Sequence, residues 1–489
     1  MVLSVILAAA GAIALPPLDW TCCDNTSISN GIVCIDAPAE RPGGGVKAKF
    51  DLRPFRRQPF VLSVNAAMRD VSQGKFPWDG LKFQLALQDR LTRQMAYLDG
   101  KCPHAGDMRE RRISLRYDST VHDADEGTLW LGLQGCSGRV RFDLGSLRIE
   151  ATPSAFTVTN QDYRVTYPVR ATGSRPLRGV MSPARPMTPD DFSTLREWGV
   201  TLLRYQMTGC PKEARTDVNR FRAFVRGKLD HLEQTVLPLA KAAGIRVVVD
   251  LHDAPGGRKG MDFALFDDDV FMQCYLDVWR EIAQRFKGER QIYGYDFINE
   301  PFQTKPAKRD YWEVQRQAAE LVRKIDPDAT LIVESNHMDL PRAFAYLSPL
   351  AMDNVIYEVH MYDPGVYTHQ GVGPNDPRGI AYGGTLPSGE TLDREYLRRQ
   401  LEPVRAFEKA HGAKIYVGEF SAICWAPGAG EYLRDCISLF EEYGWDWTYH
   451  AFREWSCWSV EHEGDDRNRM RPSDDNPRKR ALLEGLRGK

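Results

Sequence analysis

From about Asp19 to Arg170 apolar and polar positions alternate in short runs, such as Phe60-Val61-Leu62-Ser63-Val64, Leu81-Lys82-Phe83-Gln84-Leu85-Ala86-Leu87, Leu129-Trp130-Leu131-Gly132-Leu133 and Arg139-Val140-Arg141-Phe142-Asp143-Leu144. A period of two puts one face of each run in a core and the other in water, so these read as half-buried strands. Clusters such as Pro42-Gly43-Gly44-Gly45 and Pro77-Trp78-Asp79-Gly80 separate them, and no long amphipathic helix intervenes. The pattern predicts an all-β sandwich of the jelly-roll kind over 19–172.

After Pro176 the period changes. Apolar strand runs alternate with amphipathic helical stretches, and eight strands can be counted: 178–181, 201–204, 245–251, 293–298, 330–334, 355–359, 414–417 and 445–449. Helices fall between them, for example over 190–198, 228–243, 268–286, 311–325, 393–411 and 431–443. Repeated βα units of this kind close into a (β/α)₈ TIM barrel over 176–489, with working residues where strands run into the following loops.

Composition narrows the function classes. The chain has 489 residues, 43% hydrophobic and 27% charged, with a formal net charge of −2. That balance gives no electrostatic reason to expect a nucleic acid or an anionic membrane as partner and favours a neutral substrate. The apolar stretch Val2 to Ala14 has the length of a signal h-region and ends in Ala12-Ile13-Ala14, so residues 1–14 are expected to be a signal peptide and the protein secreted or periplasmic. Cys22, Cys23, Cys34, Cys102 and Cys136 crowd into the first third of the chain, consistent with bridges in an exported domain, while Cys210, Cys274, Cys424, Cys436 and Cys457 read as buried thiols or an occasional bridge rather than metal ligands. No zinc spacing, GxSxG elbow, HExxH or P-loop is present, so no metal and no cofactor are expected.

The chemistry collects at the predicted barrel rim. The second strand ends at Arg204, the third at His252, the fourth at Asn299-Glu300, the sixth at His360 and Tyr362, and the seventh at Glu419. Glu300 in Tyr295-Asp296-Phe297-Ile298-Asn299-Glu300-Pro301 and Glu419 in Val417-Gly418-Glu419-Phe420 are carboxylates at the ends of apolar strands, where packing gives little reason for a charge. Cleaving an acetal needs one acid to protonate the leaving oxygen and one carboxylate to attack the anomeric carbon or stabilise it. Two glutamates at one rim supply that pair. Glu334, Asn336 and His337 end the fifth strand, where substrate contact and loop anchoring are both open; the Gly- and Pro-rich insertion 363–391, with Tyr367, His369 and Tyr382, is expected to wall the cleft.

The order Arg204, Asp250-Leu251-His252, Ile298-Asn299-Glu300-Pro301, His360-Met361-Tyr362, Gly418-Glu419-Phe420 and a tryptophan-rich last strand resembles glycoside hydrolase family 5 over roughly 176–487. The resemblance implies a retaining glycosidase with Glu300 as acid/base and Glu419 as nucleophile. It also implies that Asn299 binds the sugar 2-hydroxyl, that His252 and His360 line the reacting subsite, that Tyr362 hydrogen-bonds the nucleophile and that Arg204 orients it. Many family members carry a tryptophan platform at the end of the eighth strand; here Trp455 is the expected platform and Trp447 its competitor. The substrate class implied is an oligo- or polysaccharide, with a cellulase-like endoglucanase first, an exo-acting β-glucosidase or mannanase next, and a non-catalytic carbohydrate-binding protein as the alternative of a different class. The segment Gly138 to Leu147 resembles the last strands of jelly-roll carbohydrate-binding modules, and Trp78 and Trp130 are either sugar-stacking faces or core. A monomer is expected.

Overall fold

The computed structural model describes residues 12–55, 59–88, 95–118, 124–152, 159–168, 176–303, 307–374 and 376–488. The chain divides into two compact units, 1–155 and 156–489.

The first unit contains two antiparallel sheets. One runs Thr26–Ser29, Ile32–Ala37, Gly138–Ala151, Phe60–Val71, Gly106–Tyr117, and the other Thr21–Cys22, Gly44–Asp51, Glu126–Gln134, Gly80–Gln88, Met95–Asp99. Inward positions of both sheets, among them Val33, Val46, Phe60, Leu62, Phe83, Leu85, Leu131 and Phe142, form one core, as the alternating pattern requires. The leader expected over residues 1–14 lies mostly outside the described residues; Ala12 and Ile13 pair with Glu150 and Ile149. The bridges expected among the N-terminal cysteines are not formed. Cys22, Cys23, Cys34, Cys102 and Cys136 are free thiols, and the Cys102 sulfur instead faces the carbonyl oxygens of Leu81 and Gly100. Trp78 is 56% exposed and stacks on Phe76, whereas Trp130 is half-buried within its sheet.

The sequence boundary at 172 also moves. Tyr163 donates to Asp353 at 3.0 Å, Tyr167 donates to the Val355 carbonyl at 2.6 Å, and the Val165 amide donates to the His411 carbonyl at 2.8 Å, so this stretch belongs to the second unit. It lacks the periodic pattern of a strand or helix, which hid its attachment from the sequence.

The second unit is a closed parallel barrel of β1 (Arg178–Met181), β2 (Leu202–Gln206), β3 (Arg246–Asp250), β4 (Ile292–Asp296), β5 (Leu331–Glu334), β6 (Val355–Met361), β7 (Lys414–Phe420) and β8 (Asp446–Tyr449). Leu202, Val248, Tyr293, Ile332, Ile356 and Tyr416 pack together in its interior. The outer helices are capped by side chains: Thr188 and Asp191 form a capping box at Pro189–Trp198, and Asp268, Asp310 and Asp393 cap the helices 269–285, 311–325 and 394–411. Among the described residues no helix is long and apolar enough to cross a membrane.

One irregularity sets up the site. Val359 pairs with Val417, but His360 pairs with Glu419, so Gly418 is an extra residue in β7. Side chains alternate along a strand, and Tyr416 points into the barrel; regular alternation through Gly418 would leave Glu419 pointing outward. The bulge turns it inward beside His360.

Candidate active site

Glu419 is reached from four sides. Its Oε1 accepts a hydrogen bond from Arg204 Nη1 at 2.7 Å and its Oε2 accepts one from Tyr362 at 2.8 Å. His360 Nδ1 and His450 Nδ1 lie 3.9 and 3.6 Å from Oε2. Burial alone pushes a carboxyl upward, but the positive charge of His360, His450, Arg204 and His252 outweighs it and holds Glu419 ionised, well below the usual carboxylate range.

Glu300 follows β4 in a left-handed turn, φ 50°. A non-glycine residue keeps that conformation only where its surroundings fix it. Here the Glu300 amide donates to Glu334 Oε2 at 2.6 Å and its carbonyl accepts from Arg258 at 2.7 Å. The turn brings Glu300 Oε1 to 3.1 Å from His360 Nδ1. Its side chain is 25% exposed against 5% for Glu419, so Glu300 is the acid that faces the cleft. An oxygen of Glu300, a ring nitrogen of His360 and an oxygen of Glu419 all lie within 4.8 Å of one another.

Beneath these acids Arg204 is fully buried and pairs with Asp250, Asp296, Glu334 and Glu358 as well as Glu419, at 2.7–3.3 Å. One guanidinium cannot balance so many buried anions. Burial first, then neighbouring carboxylates, pushes Asp296 and Glu334 far above the ordinary range. Asn299 is buried and its Oδ1 accepts from Arg204 Nη2 at 3.0 Å, while His252 is fixed by Asp250 at 2.9 Å. A cavity of about 580 Å³ opens beside them, lined by Thr208, Lys212, His252, Arg258, Asn299 and Glu300.

The structure thus brings together Arg204, His252, Asn299, Glu300, His360, Tyr362 and Glu419. The tryptophans of the last strand and its loop differ in setting. Trp447 is fully buried and donates its indole N–H to Glu441 at 2.9 Å, and Trp455 is half-buried with its ring edge-on to Trp458. The tryptophan against the site is Trp458, 6.0 Å from the Tyr362 ring and 5.1 Å from His369. Three further residues escaped the sequence reading: His450 after β8, Glu358 two positions before His360, and Glu454. Only the i, i+2 spacing of Glu358 and His360 on one strand face signalled any of them.

Glu334, Asn336 and His337 are buried, and Asn336 bonds both the amide and the carbonyl of Gln303, so they anchor the loop after Glu300. In the insertion, Tyr367 and Tyr382 turn away to Pro427 and Asp435, and His369 faces Tyr362 at 5.1 Å.

Comparison with known proteins fits this geometry. Residues 167–458, more than half of the chain, match the model of the cellulase family, glycosyl hydrolase family 5. Endoglucanase C of Acetivibrio thermocellus is 26% identical over 294 residues, covering 54% of this chain and 84% of that protein. Cellodextrinase A of Ruminococcus flavefaciens is 22% identical over 282 residues, covering 55% and 79%. A crystal structure of a glycoside hydrolase superposes with a TM-score of 0.50 at 18% identity, covering 66% of this chain and 99% of that one, which shows the shared barrel fold. The eight-stranded barrel, its rim residues and the extent of the match agree: this chain belongs to the cellulase family, glycosyl hydrolase family 5.

Proposed function

We propose that the chain hydrolyses β-linked glucans with retention of configuration, in the manner of an endo-β-1,4-glucanase, with Glu300 as acid/base and Glu419 as nucleophile. The observation that carries the reading is the approach of the two carboxylates, with oxygens within 4.8 Å. Retaining enzymes hold their carboxyl groups about 5–5.5 Å apart, whereas inverting ones leave about 6.5–9.5 Å for a water. The relative named endoglucanase C supports the substrate class.

In the first step Glu419 attacks the anomeric carbon, the glycosidic C–O bond breaks, and the Glu300 proton goes to the departing oxygen. The sugar is left as an ester on Glu419. In the second step Glu300, now a carboxylate, takes a proton from water; the oxygen of that water bonds to the anomeric carbon and the ester C–O bond breaks. Arg204 and Tyr362 hold Glu419 for attack, and Asn299 and His252 are set to bind sugar hydroxyls.

Reducing-sugar release from a panel of β-glycans by the wild type and by Glu300→Ala and Glu419→Ala tests this. Release by the wild type on β-glucans and its loss in both variants is expected; equal release by all three removes the mechanism. Binding without release by the wild type makes the chain a carbohydrate-binding protein instead.

A further inference from the structure

His450, which directly follows β8, and Glu454 take no part in the two steps above, yet they are joined to the nucleophile by an unbroken chain of contacts. Glu454 Oε2 accepts from Gln206 Nε2 at 2.7 Å and faces His450 Nε2 at 3.3 Å. His450 Nδ1 lies 2.6 Å from the Tyr362 oxygen, and Tyr362 donates to Glu419 Oε2 at 2.8 Å.

The direction of each bond follows from proton counting. Glu419 is ionised, so the single Tyr362 hydroxyl hydrogen points to it. The Tyr362 oxygen must then accept from His450, which puts a proton on Nδ1. Glu454 already accepts from Gln206 and presents a carboxylate oxygen to Nε2, which puts a second proton there. Both ring nitrogens are therefore protonated, and the ring carries a full charge 3.6 Å from the nucleophile.

We infer that Glu454, His450 and Tyr362 form a relay in which the His450 imidazolium holds Glu419 ionised and oriented, which makes His450 a positioning residue for the second chemical step. This rests on the reading of Glu419 as nucleophile. When the glycosyl ester forms, Glu419 loses its negative charge; when the ester is hydrolysed, the charge returns. A fixed cation beside it makes the carboxylate a better leaving group in that second step, and no proton leaves the relay in either step.

The groups facing His450 come from several elements: Glu419 on β7, Glu300 after β4, Tyr362 and His369 after β6, and Glu454 with Trp458 after β8. Burial, the largest single influence, opposes the charge, and Glu419, Glu454 and Glu300 more than offset it. The cation therefore persists above the ordinary imidazole range and is lost as pH rises through that raised value.

Two measurements test the relay. The first follows kcat against pH with a 2,4-dinitrophenyl β-cellobioside, whose leaving group needs no protonation, so that hydrolysis of the ester limits turnover. In that step Glu300 acts as a base and imposes only an acid limb, so an alkaline limb reports loss of an imidazolium beside Glu419, and Glu454, which faces His450, tells His450 from His360. Glu454→Gln is expected to move that limb down by about one pH unit or more, and His450→Gln to lower kcat about tenfold with a smaller fall in kcat/KM. The second measurement needs no variant to be active: nitrogen NMR of ¹⁵N-histidine-labelled wild type, assigned with His450→Gln, should find both ring nitrogens of His450 protonated at pH 7. A singly protonated ring, or an alkaline limb that Glu454→Gln leaves in place, overturns the inference. If a 2-fluoro glycoside labels Glu419 while either result stands, only the relay falls; if Glu419 is never labelled, the nucleophile reading falls and takes the relay with it.

Discussion

Replacing Gly418 with alanine adds one methyl group, and the structure states what it meets. A Cβ at this position lies 1.5 Å from Glu358 Oε1, 2.4 Å from its Cδ and 2.9 Å from its Cγ. Glu358 fills the space that the bulge glycine leaves, and it is fully buried. To accommodate the methyl it has to give up Arg204 Nε at 3.1 Å and His360 Nε2 at 3.2 Å. The His360 hydrogen bond, made to a charged group, contributes about 1.5–3 kcal/mol and the buried ion pair with Arg204 about as much, so the cost is about 3–6 kcal/mol, more than the ~1–3 kcal/mol of ordinary overpacking. Gly418 is absent from the residues with positive φ, so alanine meets no backbone obstacle there. At about 2.1 cal/mol/K per residue over the unit 156–489, thermal unfolding of Gly418→Ala should show a Tm lower by about 4–9 °C. Activity should fall with it, because His360 touches Glu300 and Arg204 touches Glu419. The control is Glu358→Ala: in that background at least about 2 kcal/mol of the Gly418→Ala penalty should vanish. A penalty that is the same in both backgrounds, or a Gly418→Ala protein as stable as the wild type, refutes the reasoning.

Other outcomes follow from the same contacts. Glu300→Ala should lower turnover of unactivated β-glucans by about 10²–10⁴-fold and that of dinitrophenyl glycosides far less, as steady-state kinetics on both substrates will check. Trp458→Ala should raise KM more than it lowers kcat if its ring meets sugar beside Tyr362 and His369; an unchanged KM removes Trp458 from the subsite. The pH dependence of stability has two signs. Glu419, held below its ordinary value, stabilises the fold above about pH 4.3, and that contribution is lost as pH falls. His360 and His450, both raised, stabilise it at and below about pH 6.5 and lose that contribution as pH rises through their folded values. Tm scanned from pH 4 to 9.5 should therefore peak between these limits, and a Tm still rising at the alkaline end contradicts the charge assignments.

Much of the barrel was legible because its signals are local. Strands such as Val247-Val248-Val249 and helices such as 311–325 carry their period in their own residues. The rim acids were legible because a carboxylate after an apolar run has no packing reason to be there. What escaped depends on register and on long-range neighbours. The bulge at Gly418 shifts one strand against another, which no pattern within Lys414–Phe420 reveals. Trp455 and Trp458 are three positions apart in an irregular loop, so only coordinates say which ring reaches Tyr362. His450 follows β8 among Trp447, Tyr449, Phe452 and Trp455, and nothing in that aromatic run marks a lone histidine as a charged neighbour of Glu419. Cys22, Cys23 and Cys34 crowd in sequence yet remain free thiols, since crowding along the chain does not bring sulfurs into bonding geometry.

The central claim is that Glu419 captures the sugar covalently while Glu300 delivers and then removes a proton. Proton NMR of a defined cello-oligosaccharide in the first minutes of hydrolysis reads this directly, before the free anomers equilibrate. The account predicts that the β-anomer of the new reducing end appears first and the α-anomer only later; an α-anomer formed first would mean single displacement by water and would contradict it.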